Sequence, residues 1–201
     1  MNTSLMTRTS LLASLRLMVV LAVLLGLLYP FVVTTLSGLL FPHQASGSLL
    51  YDSQGNVVGS TLVGQPFLGA QYFHGRPSAA DYAPDAAAGS NLAPSNPVLR
   101  ERTLDEVRTL QERDGLSAGE IPVDLLAASG SGIDPHITPA AALAQAPRVS
   151  QARGLPLPAV ENAIQAATEY TGLLGEPAVN VLRLNLALNE RALNERSPTD
   201  E

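Results

Sequence analysis

The most constraining feature of the sequence is an uncharged, apolar run near the N-terminus. Residues 17–41 contain no Asp, Glu, Lys, Arg or His. As an α-helix, about 25 residues at about 1.5 Å each span roughly 37 Å, which exceeds the roughly 30 Å hydrocarbon core of a bilayer. Pro30 is expected to kink this helix, and Pro42 marks its outer limit. The run therefore predicts one transmembrane helix at 17–41.

A cleaved signal peptide is the alternative interpretation of the same run. The apolar region of a signal peptide usually has about 7–15 residues and ends at a small-x-small cleavage site. The run here is longer, and at its nearest small-residue exit, Ala45, the bulky His43 stands two positions earlier. These features favour an uncleaved anchor. Nothing beyond residue 42 is long and apolar enough to predict a second span.

Charge is distributed unevenly around the predicted span. Residues 1–50 carry Arg8 and Arg16 and no acid, a balance of +2. Residues 51–201 carry ten arginines against eighteen acids, a balance of −8. Because basic residues mark the cytoplasmic side of a span, the N-terminus is predicted to be cytoplasmic. The predicted plan is a cytoplasmic 1–16, a span at 17–41, one extracytoplasmic domain at 42–189 and a polar tail at 190–201.

Two absent residue types exclude several classes of protein. All twelve basic residues are Arg, so the chain contains neither the lysine of a G-x-x-x-x-G-K-[ST] phosphate loop nor a Schiff-base lysine. With no Cys, it has no disulfides, thiolate metal sites or cysteine nucleophile. An acidic chain without clustered cations is also a poor nucleic-acid binder. The three histidines, His43, His74 and His136, are too scattered to predict a metal site.

The segment after the span predicts a mixed α and β domain, so the fold class is α+β. Turn-forming residues at 52–56 separate two apolar segments and indicate a hairpin over 48–59, with 61–67 extending its second strand. Four leucines alternate with other residues between Val181 and Asn189. This period of two predicts a strand.

Four helices are predicted between these elements from caps and prolines. The first begins after the N-cap Asn96, ends at Gly115 and carries Arg–Glu pairs four residues apart, Arg102 with Glu106 and Arg108 with Glu112. Pro147 is expected to end or bend the third helix, and the fourth is expected to bury Tyr170 and stop before Gly172. The four are predicted at 97–114, 122–127, 138–146 and 158–171.

Three polar clusters could carry chemistry, and each has a structural alternative. Residues 72–78 set aromatics beside His and Arg, which suits an anion or a partner's loop, or else a turn anchored by its aromatics. Residues 88–96 could present backbone N–H groups to an anion, or lead into the helix cap. Residues 129–138 place Ser, Asp and His close together, but a nucleophilic triad draws its members from separate elements. We therefore reject a triad in favour of a Gly-rich loop that positions a capped helix.

The chain resembles the C subunit of the Kdp potassium-transporting ATPase, in which strings like these clusters follow one another in the same order. The resemblance extends over nearly the whole chain. The matching strings are YFHGRPS at 72–78, GSNL at 89–92, SGSGIDPHI at 129–137 and GEPAVNVL at 175–182. Gln145 and Arg148 fit the segment that follows the third string. Thr138 and Asn189 differ from the residues frequent in the family, so neither is assigned a role.

The resemblance implies a non-catalytic, single-pass accessory subunit of a bacterial inner-membrane complex that imports K⁺ at the expense of ATP. The implied partners are a pore-forming subunit that selects K⁺ and a P-type subunit that hydrolyses ATP. The implied roles are assembly or stabilisation of the complex and a chaperone-like increase in the ATP affinity of the hydrolysing subunit. No tightly bound cofactor, metal or nucleic acid is implied, and ATP would be met through the hydrolysing subunit. The candidate binding residues, taken from the matching strings, are Tyr72, Phe73, His74, Arg76, Ser90, Asn91, Ser129, Ser131, Asp134, His136, Gln145 and Arg148.

The predicted topology separates the outer domain from ATP inside the cell. We therefore expect the −8 domain to sit over the outer mouth of the pore and raise the local K⁺ concentration, a hypothesis that K⁺ affinity at low ionic strength would test. The alternative function is a membrane-anchored extracytoplasmic module whose surface at 72–96 binds a small ligand or a cell-wall component.

Overall fold

A computed structural model describes residues 3–170 and 175–196, and the chain divides into one unit up to Ser48 and another from Leu49. The first unit is helical. Its stretch Thr9–Leu40 is 32 residues long, apolar enough to cross a membrane, and not buried against other parts of the chain. This stretch confirms the prediction of one candidate span. Its elements are α1 (Thr3–Val23), a π-helical turn (Leu24–Leu28), α2 (Tyr29–Leu40) and a short α3 (Pro42–Ala45).

The π-helical turn lies immediately before Pro30. Tyr29 donates its backbone N–H to the carbonyl of Leu24, five residues earlier, instead of four. Pro30 has no N–H to donate and its ring crowds the preceding turn, so a wider turn accommodates it without ending the helix. The helix ends at Leu40, two residues before Pro42.

The second unit is a mixed α and β domain, which confirms the α+β fold class. β1 and β2 form an antiparallel hairpin, and a second antiparallel sheet has the order β3-β5-β4. Short 3₁₀ turns lie at Pro84–Ala86 and Val123–Leu125, the latter within the helix predicted at 122–127. The elements are β1 (Leu49–Tyr51), β2 (Val57–Ser60), α4 (Pro97–Asp114), β3 (His136–Ile137), α5 (Pro139–Arg153), α6 (Leu157–Ala166), β4 (Thr168–Tyr170), β5 (Pro177–Asn180) and α7 (Val181–Arg196).

Side-chain caps fix the ends of α4 and α5 where the sequence predicts them. Asn96 Oδ1 accepts the N–H of Val98 at 3.0 Å, and Gly115 ends α4 with φ = 70°. Thr138 Oγ1 accepts the N–H of Ala141 at 3.1 Å and begins α5. These bonds satisfy N–H groups that the first turn of a helix leaves unpaired.

The strand predicted over 181–189 is wrong, because this segment begins α7. Val181, Leu184, Asn185 and Leu188 are buried. Their spacing of three, four and seven residues marks one face of a helix. The alternation of leucines is therefore incidental to the buried face. The helix continues to Arg196, through the first part of the predicted polar tail.

Further predictions about local structure are wrong in whole or in part. Residues 61–67 do not extend β2. Of the two outcomes predicted at Pro147, an end or a bend, the end is wrong: α5 continues to Arg153, since burial of the residues on either side outweighs one missing backbone hydrogen bond. α6 ends at Ala166, and Tyr170 lies exposed in β4, whereas Gly172 falls outside the described residues.

The predicted surface ion pairs of α4 also differ. Arg108 binds Asp105, three residues earlier, at 2.5 Å. Glu112 is not its partner among the ion pairs of the described residues.

The core of the domain is built around α5. This helix packs against α4, α6 and β5. Its alanines at 141, 142 and 146 are buried, and their small side chains allow close approach of the neighbouring elements. Phe73, from the loop between β2 and α4, is 0% exposed within this core. The first of the matching strings is therefore anchored through an aromatic residue.

Candidate functional site

The second and third matching strings meet through glycines. A Cβ added to Gly89 would lie 2.7 Å from the carbonyl oxygen of Gly130, and one added to Gly132 would lie 2.6 Å from that of Ala88. Gly132 also has φ = 73°, which favours glycine. Any side chain at these positions would separate the two loops.

Backbone hydrogen bonds join the third string to the first and fourth. Ser129 donates its N–H to the carbonyl of Pro77 at 2.9 Å. His136 in β3 is paired with Asn180 in β5. All four strings therefore belong to one continuous structure, although they are spread from residue 72 to residue 182.

The two serine hydroxyls of the third string bind the loop that carries them. Ser129 Oγ accepts the N–H groups of Gly132 at 3.0 Å and Asp134 at 3.3 Å. Ser131 Oγ accepts the N–H of Ile133 at 3.2 Å. These contacts favour a loop-building role over that of a nucleophile.

Arg76, Asp134 and His136 form a half-exposed polar group. Arg76 Nη1 donates to Asp134 Oδ2 at 3.3 Å, and Asp134 Oδ1 accepts the N–H of His136 at 3.0 Å. Hydrogen bonding from His136 holds the pKa of Asp134 below its usual value, with a smaller contribution from Arg76. These residues line a cleft of about 230 Å³ together with Asp124 and Glu176.

Two buried amide side chains bind the backbone of Phe73 and His74. Asn185 Oδ1 accepts the N–H of Phe73 at 2.9 Å, and its Nδ2 donates to the carbonyl of Phe73 at 3.0 Å. In the same way, Gln145 Oε1 accepts the N–H of His74 at 2.9 Å, and Gln145 Nε2 donates to the carbonyl of His74 at 3.1 Å. Gln145 Nε2 also donates to the carbonyl of Ala141. The amides thus replace the partner strand that this extended segment lacks.

A buried charged cluster holds the start of the first string, at Tyr72. Asp114 is 0% exposed at its side chain and accepts from Arg113 at 2.8 Å and from Arg148 at 2.5 Å. Arg148 also donates to Gln145 Oε1 at 2.9 Å and to the carbonyl of Tyr72 at 2.9 Å. Burial lowers the pKa of Arg148, and Asp114 opposes that shift. One carboxylate therefore neutralises two arginines, one of which fixes a loop.

The ring of His74 belongs to the same cluster. Its Nδ1 lies 3.0 Å from Arg113 Nη1, and its Nε2 lies 3.2 Å from the carbonyl oxygen of Gly69. Since Arg113 can only donate, Nδ1 accepts and the proton is on Nε2. Burial, with a further contribution from Arg113, lowers the pKa of His74 to about 4. The imidazole is therefore neutral at neutral pH and serves as an uncharged link between Arg113 and the loop.

The structure sorts the candidate residues into three places. Ser90 lines a separate cleft beside α4, and Asn91 is exposed with φ = 50°. The other ten divide between the buried cluster and the half-exposed group. The buried cluster contains Tyr72, Phe73, His74, Gln145 and Arg148, and the half-exposed group with its loop contains Arg76, Ser129, Ser131, Asp134 and His136.

Sequence reasoning missed two residues that organise the buried cluster, although each left a signal. Asp114 is the last residue of α4, where the helix dipole disfavours an acid unless cations lie nearby. In the predicted strand, Asn185 lies on the face opposite the four leucines. At helical spacing it falls on the buried face with Leu184 and Leu188, where a polar side chain needs a specific partner.

Comparison with known proteins gives a consistent result. Residues 11–190 match the family model "KdpC: K+-transporting ATPase, c chain". A potassium-transporting ATPase KdpC subunit of Shewanella putrefaciens is 51% identical over 170 residues, covering 83% of this chain and 84% of the relative. The KdpC subunit of Myxococcus xanthus is 50% identical over 184 residues, covering 90% and 87%. That of Sorangium cellulosum is 52% identical over 178 residues, covering 86% and 93%.

Proposed function

Because this chain belongs to the KdpC family of K⁺-transporting ATPase subunits, we propose that it is a non-catalytic accessory subunit that assembles and stabilises an ATP-driven potassium importer. Its partners in this proposal are a pore-forming, potassium-binding subunit and an ATP-hydrolysing P-type subunit. The helix Thr9–Leu40 anchors it in the bacterial inner membrane, with the N-terminus in the cytoplasm and the α+β domain outside.

The non-catalytic role is supported by one observation: several of the candidate residues use their polar groups to hold the domain itself together. The hydroxyls of Ser129 and Ser131 bind their own loop, and the amide of Gln145 and the guanidinium of Arg148 hold the backbone at 70–74. Groups committed to the fold are poorly placed to attack or protonate a substrate. They suit a rigid body that presents a surface to partners.

We further propose that any increase in the ATP affinity of the hydrolysing subunit is indirect. The side chain of Gln145 makes four hydrogen bonds: two donated by Nε2, to His74 and Ala141, and two accepted by Oε1, from His74 and Arg148. A primary amide has two N–H donors and two acceptor lone pairs, so none remains for a nucleotide. The effect on ATP would then pass through contacts between subunits, with ATP itself bound by the hydrolysing subunit.

We expect the chain to co-purify with two larger membrane proteins. Affinity-tagged full-length chain, extracted from its own membranes in mild detergent, should retain both, and the preparation should hydrolyse ATP in a K⁺-dependent manner. Mass spectrometry of the eluted bands is the measurement. A chain that elutes alone, or with one partner that has no ATPase activity, would contradict the proposed function.

The orientation can be tested with a single cysteine, because the natural chain has none. Ala118 lies exposed after α4, so Ala118→Cys should react with a membrane-impermeant maleimide in intact spheroplasts. A cysteine at Asn2 is the matched control and should react only after the membrane is permeabilised. The reverse pattern would place the domain in the cytoplasm and remove the topological reason for an indirect effect on ATP.

A further inference from the structure

An arginine on α4 has a buried nitrogen without a hydrogen-bond partner. Within residues 3–170 and 175–196, the Nε atoms of Arg76 and Arg102 are buried without a hydrogen-bond partner. Arg76 still donates through Nη1 and Nη2, whereas Arg102 makes no hydrogen bond to another described residue. Burying an unpaired donor is destabilising, so folded proteins rarely retain one without a reason. Arg102 lines a cleft of about 390 Å³ beside the second matching string.

Among the partly buried arginines that the structure describes, Arg102 differs from the others. Six arginines of the described part each donate to a carboxylate or a backbone carbonyl. These six are Arg76, Arg108, Arg113, Arg148, Arg153 and Arg183. Arg100 also lacks such a bond within the described residues, but it is exposed to water, whereas Arg102 is partly buried. In a domain with eighteen acids and ten arginines, a partly buried guanidinium without a hydrogen bond is unusual. Glu106 lies one turn further along α4. Burial raises the pKa of Glu106, and the positive charge of Arg102 only partly opposes this shift.

The walls of the cleft are mostly apolar. They are formed by Leu99, Val123, Leu126 and two alanines, and Val123 is 76% exposed at the rim. Ser90 adds a hydroxyl that has no hydrogen bond to another described residue. Apolar walls with a few unpaired polar groups are the usual composition of a binding site.

We propose that this cleft receives an acidic side chain, carried on an apolar segment of a partner subunit. The carboxylate would bind the guanidinium of Arg102 and the hydroxyl of Ser90, while its neighbours pack on Leu99 and Val123. A single guanidinium beside Glu106 matches one negative charge and is poorly suited to a phosphate dianion. A protein-borne acid is also favoured over a free anion, because the packing of its apolar neighbours on the cleft walls can offset the repulsion from the −8 charge of residues 51–201. The inference rests on the proposed function, because it needs a partner subunit.

The test uses the full chain in its complex. A photoreactive benzoylphenylalanine replaces Val123 at the rim, and a second chain carries it at Val57, which is 55% exposed in the hairpin, as the control. In parallel, partner recovery is compared for Arg102→Ala and for Arg108→Ala, which removes an exposed arginine paired with Asp105 on the same helix. Thermal melting of each variant reports whether the domain remains folded.

We expect the probe at Val123 to cross-link to a partner segment that contains Asp or Glu. Arg102→Ala should lower partner recovery at least about tenfold and melt near the parent, while Arg108→Ala should change neither. Replacing the mapped acid with its amide should reduce recovery equally and add nothing to Arg102→Ala. If Arg102→Ala unfolds, Arg102→Lys, which keeps the charge but loses the planar fork, should still weaken recovery.

Cross-links only to lipid, or to a segment without an acid, would overturn the inference. Unchanged recovery with folded Arg102→Ala would do the same, while retained partners and ATPase activity would leave the proposed function standing. A parent chain that recovers no partner would overturn both. The two failures are therefore distinguishable.

Discussion

Replacing Asp114 with asparagine is expected to lower the free energy of unfolding of the outer domain by about 3–5 kcal/mol. The side chain is 0% exposed and is the carboxylate partner of both Arg113 and Arg148. Asparagine keeps the shape but removes the charge, so two largely buried guanidinium groups lose their counter-ion. Arg148 would then also hold the carbonyls of Ala70 and Tyr72 less firmly.

Urea unfolding of the full chain in mild detergent measures this loss, because urea does not screen charge. Tyrosine fluorescence is a suitable signal, because the ring of Tyr72 packs against two other side chains. Its centroid lies 5.6 Å from the ring centroid of Phe67 and 5.4 Å from Cζ of Arg153. The matched control is Asp105→Asn, which breaks the exposed pair with Arg108 and should cost about 1 kcal/mol or less. Equal effects of the two substitutions would show that the buried cluster is not a major source of stability.

The second large effect is expected for Asn185→Leu, which keeps the branching at Cγ and replaces the polar amide with methyl groups. It removes both hydrogen bonds to the backbone of Phe73, a residue that is 0% exposed. Each buried group left unpaired costs about 1–3 kcal/mol, so the combined loss should be about 2–6 kcal/mol. The amide hydrogen of Phe73 should also exchange with solvent much faster than in the parent chain.

Hydrogen exchange and urea unfolding together measure this prediction. Asn189→Leu is the matched control one turn further along α7, where the side chain accepts a single bond from Arg153 at 3.0 Å. It should cost about 0.5–1.5 kcal/mol and leave the exchange of Phe73 unchanged. Retained protection of Phe73 in Asn185→Leu would mean that the amide does not support this segment.

Local signals in the sequence were sufficient for much of the architecture. The apolar run predicted the candidate span, turn formers predicted the hairpin, and Asn96, Gly115 and Thr138 marked helix ends that the structure confirms. Each of these features depends on residues close together in the chain. Period two failed at Val181–Asn189 because the leucines alternate by chance, and tertiary burial of one helical face decided the structure.

The arrangement of the candidate site depended on distant residues and could not be predicted in this way. Gln145 finds its partner His74 71 positions away, and Arg148 finds Asp114 34 positions away. The matching strings identified the segments that form the candidate site, but they did not indicate that side-chain amides bind the backbones of Phe73 and His74. Because every residue except proline has the same backbone N–H and carbonyl, such binding does not depend on which side chain stands at the bound position.

The bond between Asn185 and Phe73 also sets a condition on biosynthesis. Its partners are 112 positions apart, so the ribosome releases Phe73 long before the helix that completes its pairing. A nascent or prematurely terminated chain cannot close the core around Phe73, because contacts of this separation form only when both ends are available. We therefore expect chains that stop before Asn185 to leave Phe73 without this pairing and to be cleaved by proteases faster than the full chain.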